Sequence, residues 1–229
     1  MEIATVSTAN WIYDFSDYQQ MYDLTESDFT KSIFDFSSGI ASFNAEATRR
    51  GMSVMSMDAA YSLSESDMQM HAQTFLVQMI SQLTETPTRL RNPSPASEQE
   101  VIQLWRQTEK LFLADYALGR SQQRYQPMQS TQFIYPTHQF DLAFCTDFIF
   151  HHALSREHVG VVLQELCRVA EEVRIFPLLD SDGKMPQELG PLILLLQQQN
   201  FGVEVRQVAY HALQGGNAML RIWQQECHL

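Results

Sequence analysis

Cysteine is scarce: Cys145, Cys167 and Cys227 are the three in 229 residues, widely spaced and odd in number. That excludes a disulfide framework and a zinc knuckle as the organising device, and the thiols read as reduced. No HxxxH or CxxC spacing occurs, so no metal is expected. Long apolar runs are lacking too. None reaches the ~20 residues that a membrane-spanning helix needs. The N-terminus, MEIATVSTANW, has neither the basic head nor the apolar core of a signal peptide, so a soluble chain of the cytoplasm is expected, with no membrane partner. Positive charge is the third shortage. Lys and Arg number 15 against 27 Asp and Glu, and residues 1–67 hold 3 against 11. Such a surface repels phosphate backbones, which disfavours nucleic acid as a partner.

What is there is a hydrophobic content of 45%, ordinary for a globular chain, and one informative stretch, Ser32 to Tyr61. It reads as a strand (Ser32 to Phe36), a small-residue turn (Ser37 to Ala41), a helix (Phe43 to Arg50) and a second strand (Ser53 to Met57). Two arginines before Gly51 suit a helix end, where cations meet the last carbonyls and glycine stops the turn. Asp35 falls at the end of the first strand and Asp58 just after the second. Small residues admit a ligand to the backbone, and an acid at a strand end can hold ribose hydroxyls; the pattern is half of a nucleotide-binding α/β unit.

Around this stretch the chain divides into an aromatic, acidic leader (1–31) and an α/β region (32–229) interrupted by a helical insertion at about 62–125. The leader carries Trp11, Tyr13, Phe15, Tyr18 and Tyr22 without glycine or proline, and so many rings favour a short helical lid that packs over a pocket. Thr25 and Asp28 suggest a capping box. In the insertion, Ser64 caps a helix to about Leu83, a Pro- and Thr-punctuated linker covers 84–96, and a second helix runs from Ser97 to about Tyr125. Their apolar stripes read as core. The α/β pattern resumes with a short strand within Gln123 to Met128 and a buried strand, Phe140 to Cys145. A helix from Ser155 to about Glu172, a strand at Val173 to Phe176 and a helix ending near Asn200 follow. The strands Val203 to Ala209 and Ala218 to Trp223 flank QGGN, predicting a terminal antiparallel hairpin.

Strands joined by helical crossovers and closed by such a hairpin make a doubly wound, seven-stranded, mostly parallel sheet with an antiparallel last strand. In this the chain resembles the class I S-adenosylmethionine-dependent methyltransferases, whose Rossmann-like fold is then expected. The first motif stands as Asp35, Phe36, Ser37, Ser38, Gly39, Ile40, Ala41, with only the middle glycine of the family's pattern. Asp58 matches the acid that closes the second strand. FDLAFCTDFIF (Phe140 to Phe150) and LQELCRVAEEVRIFPL (Leu163 to Leu178) look like the fourth-strand and fifth-strand motifs. The run from Asp17 to Glu46, with RVAEEVRIFPLL and LQGGNAMLRIW, resembles a group of bacterial methyltransferase-like proteins known by that superfamily name alone.

The resemblance implies a methyltransferase using S-adenosylmethionine on an acceptor that the sequence does not name, a small molecule being the first choice. Asp35, Ser37, Gly39, Ala41, Asp58, Ala59, Met128, Cys145 and Thr146 are the implied cofactor-binding residues. Asp147 and His151 are the candidate catalytic bases, with His152, Tyr13 and Tyr18 behind them. Each has a structural alternative: Asp147 as a helix cap, the histidines as residues of a helix start. Ser37 and Ala41 in place of glycines keep open a second reading, a non-catalytic module of the same fold whose helical insertion binds a protein.

Overall fold

The computed structural model describes residues 12–85, 98–130, 132–150, 156–180, 183–210 and 215–225. The strands are β1 (Ser32–Phe36), β2 (Ser53–Asp58), β3 (Tyr125–Pro127), β4 (Phe140–Thr146), β5 (Ala170–Phe176), β6 (Phe201–Gln207) and β7 (Ala218–Gln224). They form one sheet of seven in the order β3-β2-β1-β4-β5-β7-β6. The first five are parallel, and β7 runs antiparallel to both β5 and β6. This strand order with a reversed β7 is the class I methyltransferase architecture. The chain order reverses between β1 and β4, the topological switch point, where a doubly wound sheet opens a crevice at its carboxyl edge.

The central strands β1 and β4 are almost wholly buried, as apolar runs covered on both faces must be. One face carries α1 (Phe15–Met21) and α2 (Phe43–Arg49), together with α3 (Glu65–Glu85) and α4 (Glu98–Ser121). The other carries α5 (Arg156–Val169) and α6 (Leu189–Gln198). Helix α2 ends where Gly51 turns left-handed (φ 82°), the conformation glycine takes without steric cost. Ser64 receives the Asp67 N–H at the start of α3 (3.2 Å). The 3-10 turn at Glu26–Thr30 has the Thr25 and Asp28 capping box expected from sequence.

The two long helices α3 and α4 stand between β2 and β3, in place of a single crossover helix. Met68, Ala72, Leu76, Met79 and Leu83 of α3, and Trp105, Phe112 and Tyr116 of α4, are buried. The 84–96 linker falls mainly outside the described residues. Strand β5 begins at Ala170, three residues earlier than the sequence suggests, because Phe140 of β4 pairs with Ala170 and draws the chain into the sheet as soon as α5 ends. Strand β6 likewise starts at Phe201, opposite Gln224. Among the described residues no helix is long and apolar enough to cross a membrane.

Candidate functional site

Three aspartates lie at or just beyond the carboxyl ends of adjacent strands: Asp35 in β1, Asp58 closing β2 and Asp147 directly after β4. All are buried, at 0%, 3% and 2% exposure. The backbone around them is unusual. Ser37 (φ 60°), Gly39 (φ 54°) and Asp147 (φ 50°) are left-handed. For serine and aspartate that conformation is sparsely populated, and such residues gather at ligand sites because the surroundings must hold them there. Here Ser37 N–H donates to the Met57 carbonyl (2.8 Å) and Asp147 N–H to that of Phe176 (2.9 Å), so each bend is tied to the next strand.

Asp58 accepts Gly39 N–H at Oδ2 and Ala60 N–H at Oδ1, each at 2.9 Å. The first bond fastens the motif turn to the β2 acid. Tyr61 adds a second fastening: its hydroxyl donates to the Gly39 carbonyl (2.7 Å) and lies 2.8 Å from Ser38 Oγ. Met128 N–H donates to the Asp58 carbonyl (3.0 Å), which brings the end of β3 alongside. Burial raises the Asp58 carboxyl above its ordinary range, against the pull of its two N–H donors.

Asp35 accepts the Tyr18 hydroxyl at Oδ1 (3.1 Å) and Ser56 Oγ at Oδ2 (2.9 Å). Burial, with the charge of Asp58 adding to it, pushes Asp35 up to about 7 although both hydroxyls favour its ionised form. Asp147 accepts the Tyr13 hydroxyl (3.1 Å). Tyr22 and Thr146 share a hydroxyl contact of 2.7 Å. Tyr13, Tyr18 and Tyr22, all from the segment around α1, therefore set their hydroxyls on the ends of β1 and β4. Ring stacking seats them: Tyr18 on Phe43 and Tyr22 on Phe144, each with centroids 4.2 Å apart. Tyr13 is fixed at its backbone as well, since Ser42 N–H donates to its carbonyl (3.1 Å).

Of the residues expected from sequence, Asp35, Ser37, Gly39, Ala41 and Asp58 come together around the motif turn. Ala59 begins the 3-10 turn that caps on Asp58, and Met128 borders it. Cys145, Thr146 and Asp147 line up at the end of β4; Cys145 is wholly buried, and burial pushes its thiol up. His151 and His152 lie outside the described residues. Burial also drives the phenols of Tyr13 and Tyr18 well above their ordinary value, so both act as hydrogen-bond donors rather than bases. The Ser56 and Tyr61 contacts had no signal in the sequence, since each joins elements distant along the chain. The many rings of the leader pointed to packing for Tyr18 and Tyr22, but not to the groups their hydroxyls meet.

The arrangement leaves hydrogen-bond acceptors at the switch point of the sheet. Each Asp58 oxygen keeps a lone pair beyond its N–H bond, so the acid retains acceptor capacity for hydroxyls. The left-handed turn brings main chain, not side chain, up to it. Among the described residues no lysine or arginine is bonded to Asp35 or Asp58.

No protein-family model matches the chain. Uncharacterized protein MJ0045 of Methanocaldococcus jannaschii is 25% identical over 215 residues, covering 91% of this chain and 93% of that protein. Among solved structures, the PH0226 protein of Pyrococcus horikoshii OT3 is similar with a TM-score of 0.48 at 14% identity, over 92% of this chain and 90% of that one. The methyltransferase domain of bacterial CtHen1 gives 0.47 at 12% identity, over 90% and 95%. The fold itself is the class I S-adenosylmethionine-dependent methyltransferase fold, as strand order and the reversed β7 define it.

Proposed function

We propose that the chain is an S-adenosylmethionine-dependent methyltransferase acting on a small-molecule acceptor. The observation that carries this reading is the convergence of Asp35, Asp58 and Asp147 at the switch point of the sheet, around a turn held left-handed at Ser37 and Gly39. Bound there, S-adenosylmethionine supplies a methyl group that already carries its own leaving group. The protein's part is alignment and, for a weakly acidic acceptor, removal of a proton.

In this reading Asp58 holds the ribose hydroxyls, the Ser37 to Ala41 turn lies along the ligand's backbone side, and Ala59 and Met128 flank its base. Asp35 orients the amino acid end through the groups it fixes. Cys145 and Thr146 form the floor, and Asp147 takes up the proton of the acceptor while the Tyr13 hydroxyl holds its Oδ2 in place. The segment 12–31 acts as the lid of the site. Burial of Asp147 and the acidic balance of the chain favour a small acceptor over a polyanion.

Titration calorimetry with S-adenosylhomocysteine tests the reading. Wild type should bind, and Asp58→Ala should lose the heat of binding while keeping a cooperative unfolding transition. Undiminished binding in that variant would sink the site assignment.

A further inference from the structure

The two edges of the sheet are finished differently. Strand β3 is three residues long and ends at Pro127, a blunt edge that offers a neighbour little to pair with. Strand β6 has seven residues and no proline, and among the described residues it pairs with β7 alone. Its outward backbone groups can be assigned. Val208 N–H donates to the Asn217 carbonyl (2.8 Å), and the same register sets Arg206 opposite Met219, Glu204 opposite Arg221 and Gly202 opposite Trp223. Bonding groups alternate along an antiparallel strand, so those of Val203, Val205 and Gln207 point to the open edge.

The surface flanking that edge is apolar. Helix α6 packs on β6 and holds no charged residue over Leu189–Gln198. A helix apolar all round belongs in an interior, yet Leu194 is 57% exposed. At about 100° per residue, Leu195 falls on the flank that lines a small cavity with α5, so Ile193 and Leu194 fall toward the other flank, at the edge of the sheet. Val203 packs into the core on the β6 face that α6 covers, and Val205, on the same face, is 50% exposed. Glu204 and Arg206 occupy the opposite face, where they pair with each other (2.9 Å) and Arg206 also reaches Asp23 (3.1 Å).

We propose that this edge is a homodimer interface, in which a second copy of the chain lays its β6 antiparallel to the first about a two-fold axis at Val205. Charge selects both the partner and the register. Charged side chains on an edge strand ordinarily discourage pairing. Glu204 and Arg206, however, stand symmetrically about Val205, so this axis sets each Glu204 opposite an Arg206 of the other copy. An axis at Glu204 or at Arg206, or an in-register parallel pairing, would set like charges face to face. With the axis at Val205, the outward groups of Val203 meet those of Gln207 in the other copy, and Val205 meets its own counterpart. Such an axis stands perpendicular to the sheet, so the exposed flank of α6 meets the same flank of its copy, a self-complementary contact.

Sedimentation velocity of the full chain over a range of concentrations tests it, together with amide hydrogen exchange. Wild type should sediment at twice the mass of one chain. Val205→Pro removes an outward N–H and no bond to β7, and Arg206→Glu sets carboxylates against each other across the axis. Each should lose the dimer while keeping a cooperative unfolding transition. Glu204→Arg combined with Arg206→Glu exchanges the charges and restores the match, so the doubled mass should return. The Val203 and Gln207 amides should be protected in wild type and lose that protection in Arg206→Glu. A dimer that survives both single substitutions overturns the proposal, as does a doubly substituted chain that folds and stays monomeric. A monomeric wild type also overturns it, and protected edge amides in that monomer would show that the chain covers its own edge.

Discussion

The Tyr18 hydroxyl donates to Asp35 Oδ1 across 3.1 Å, joining the helix that precedes the sheet to the acid at its switch point. Phe43, the first residue of the helix after the motif turn, stacks on the same tyrosine ring at 4.2 Å. One side chain of α1 thus braces the two elements on either side of the turn. Tyr18→Phe keeps the stack and removes the donor, leaving a buried carboxylate oxygen short of a partner. We expect a loss of about 1–3 kcal/mol in urea unfolding, with the transition still cooperative.

Asp35 also gives the protein a pH signature. Its carboxyl is pushed up to about 7 in the folded chain from an ordinary 3.8. Below the lower value both states hold the proton and the group contributes nothing. Between the two the folded state keeps a proton that the unfolded state has released, so stability falls as pH rises, and the fall ends above about 7. Asp35→Asn cannot titrate. The stability of the variant relative to wild type should therefore climb from pH 5 to pH 8, measured as the difference between their unfolding temperatures; a constant difference would show that Asp35 does not hold the proton.

Arg174 of β5 is a second buried charge, and its bonds are all to protein. It reaches the Tyr22 carbonyl (2.7 Å), Asp28 (3.2 Å) and Glu172 (2.6 Å). Asp28, with Lys31 on its other side, is lowered to about 2. Arg174→Met removes the cation that Asp28 and Glu172 share, leaving Asp28 with Lys31 and Glu172 with Arg221 as their remaining cations. A loss of about 1–3 kcal/mol is expected from denaturant unfolding. At pH 7 the damage should exceed that at pH 2.5, where protonation of the acids in the variant relieves the uncompensated charge.

Much of this was legible beforehand. The strands β1, β2 and β4, the helical pair and the closing hairpin follow from apolar periodicity and turn residues, which are local signals. Asp35, Gly39 and Asp58 were legible as a group because motif spacing is local as well. What escaped is contact across distance: Tyr18 on Asp35, Ser56 behind it, Tyr61 on the Gly39 carbonyl. Polar side chains in a leader look alike whether they meet solvent or a buried acid. The leader's rings announced packing, but not where their hydroxyls land.

A glycine in α4 offers a test of packing. A Cβ on Gly119 would run into the Tyr125 ring, which is 2% exposed and closes β3 against the helix. Gly119→Ala should cost about 1–3 kcal/mol through overpacking despite alanine's better helix propensity. Thermal unfolding measures the balance, and a stabilised variant would mean that the Tyr125 ring moves aside freely.

The position of β7 between β5 and β6 bears on how the chain comes off the ribosome. Among the described residues the sixth strand pairs only with the seventh, and the seventh is made after it. While β6 emerges, β5 presents an open edge and β6 has no ladder to join. The far half of the sheet is complete only once residues 218–224 are free to slide into the gap between β5 and β6.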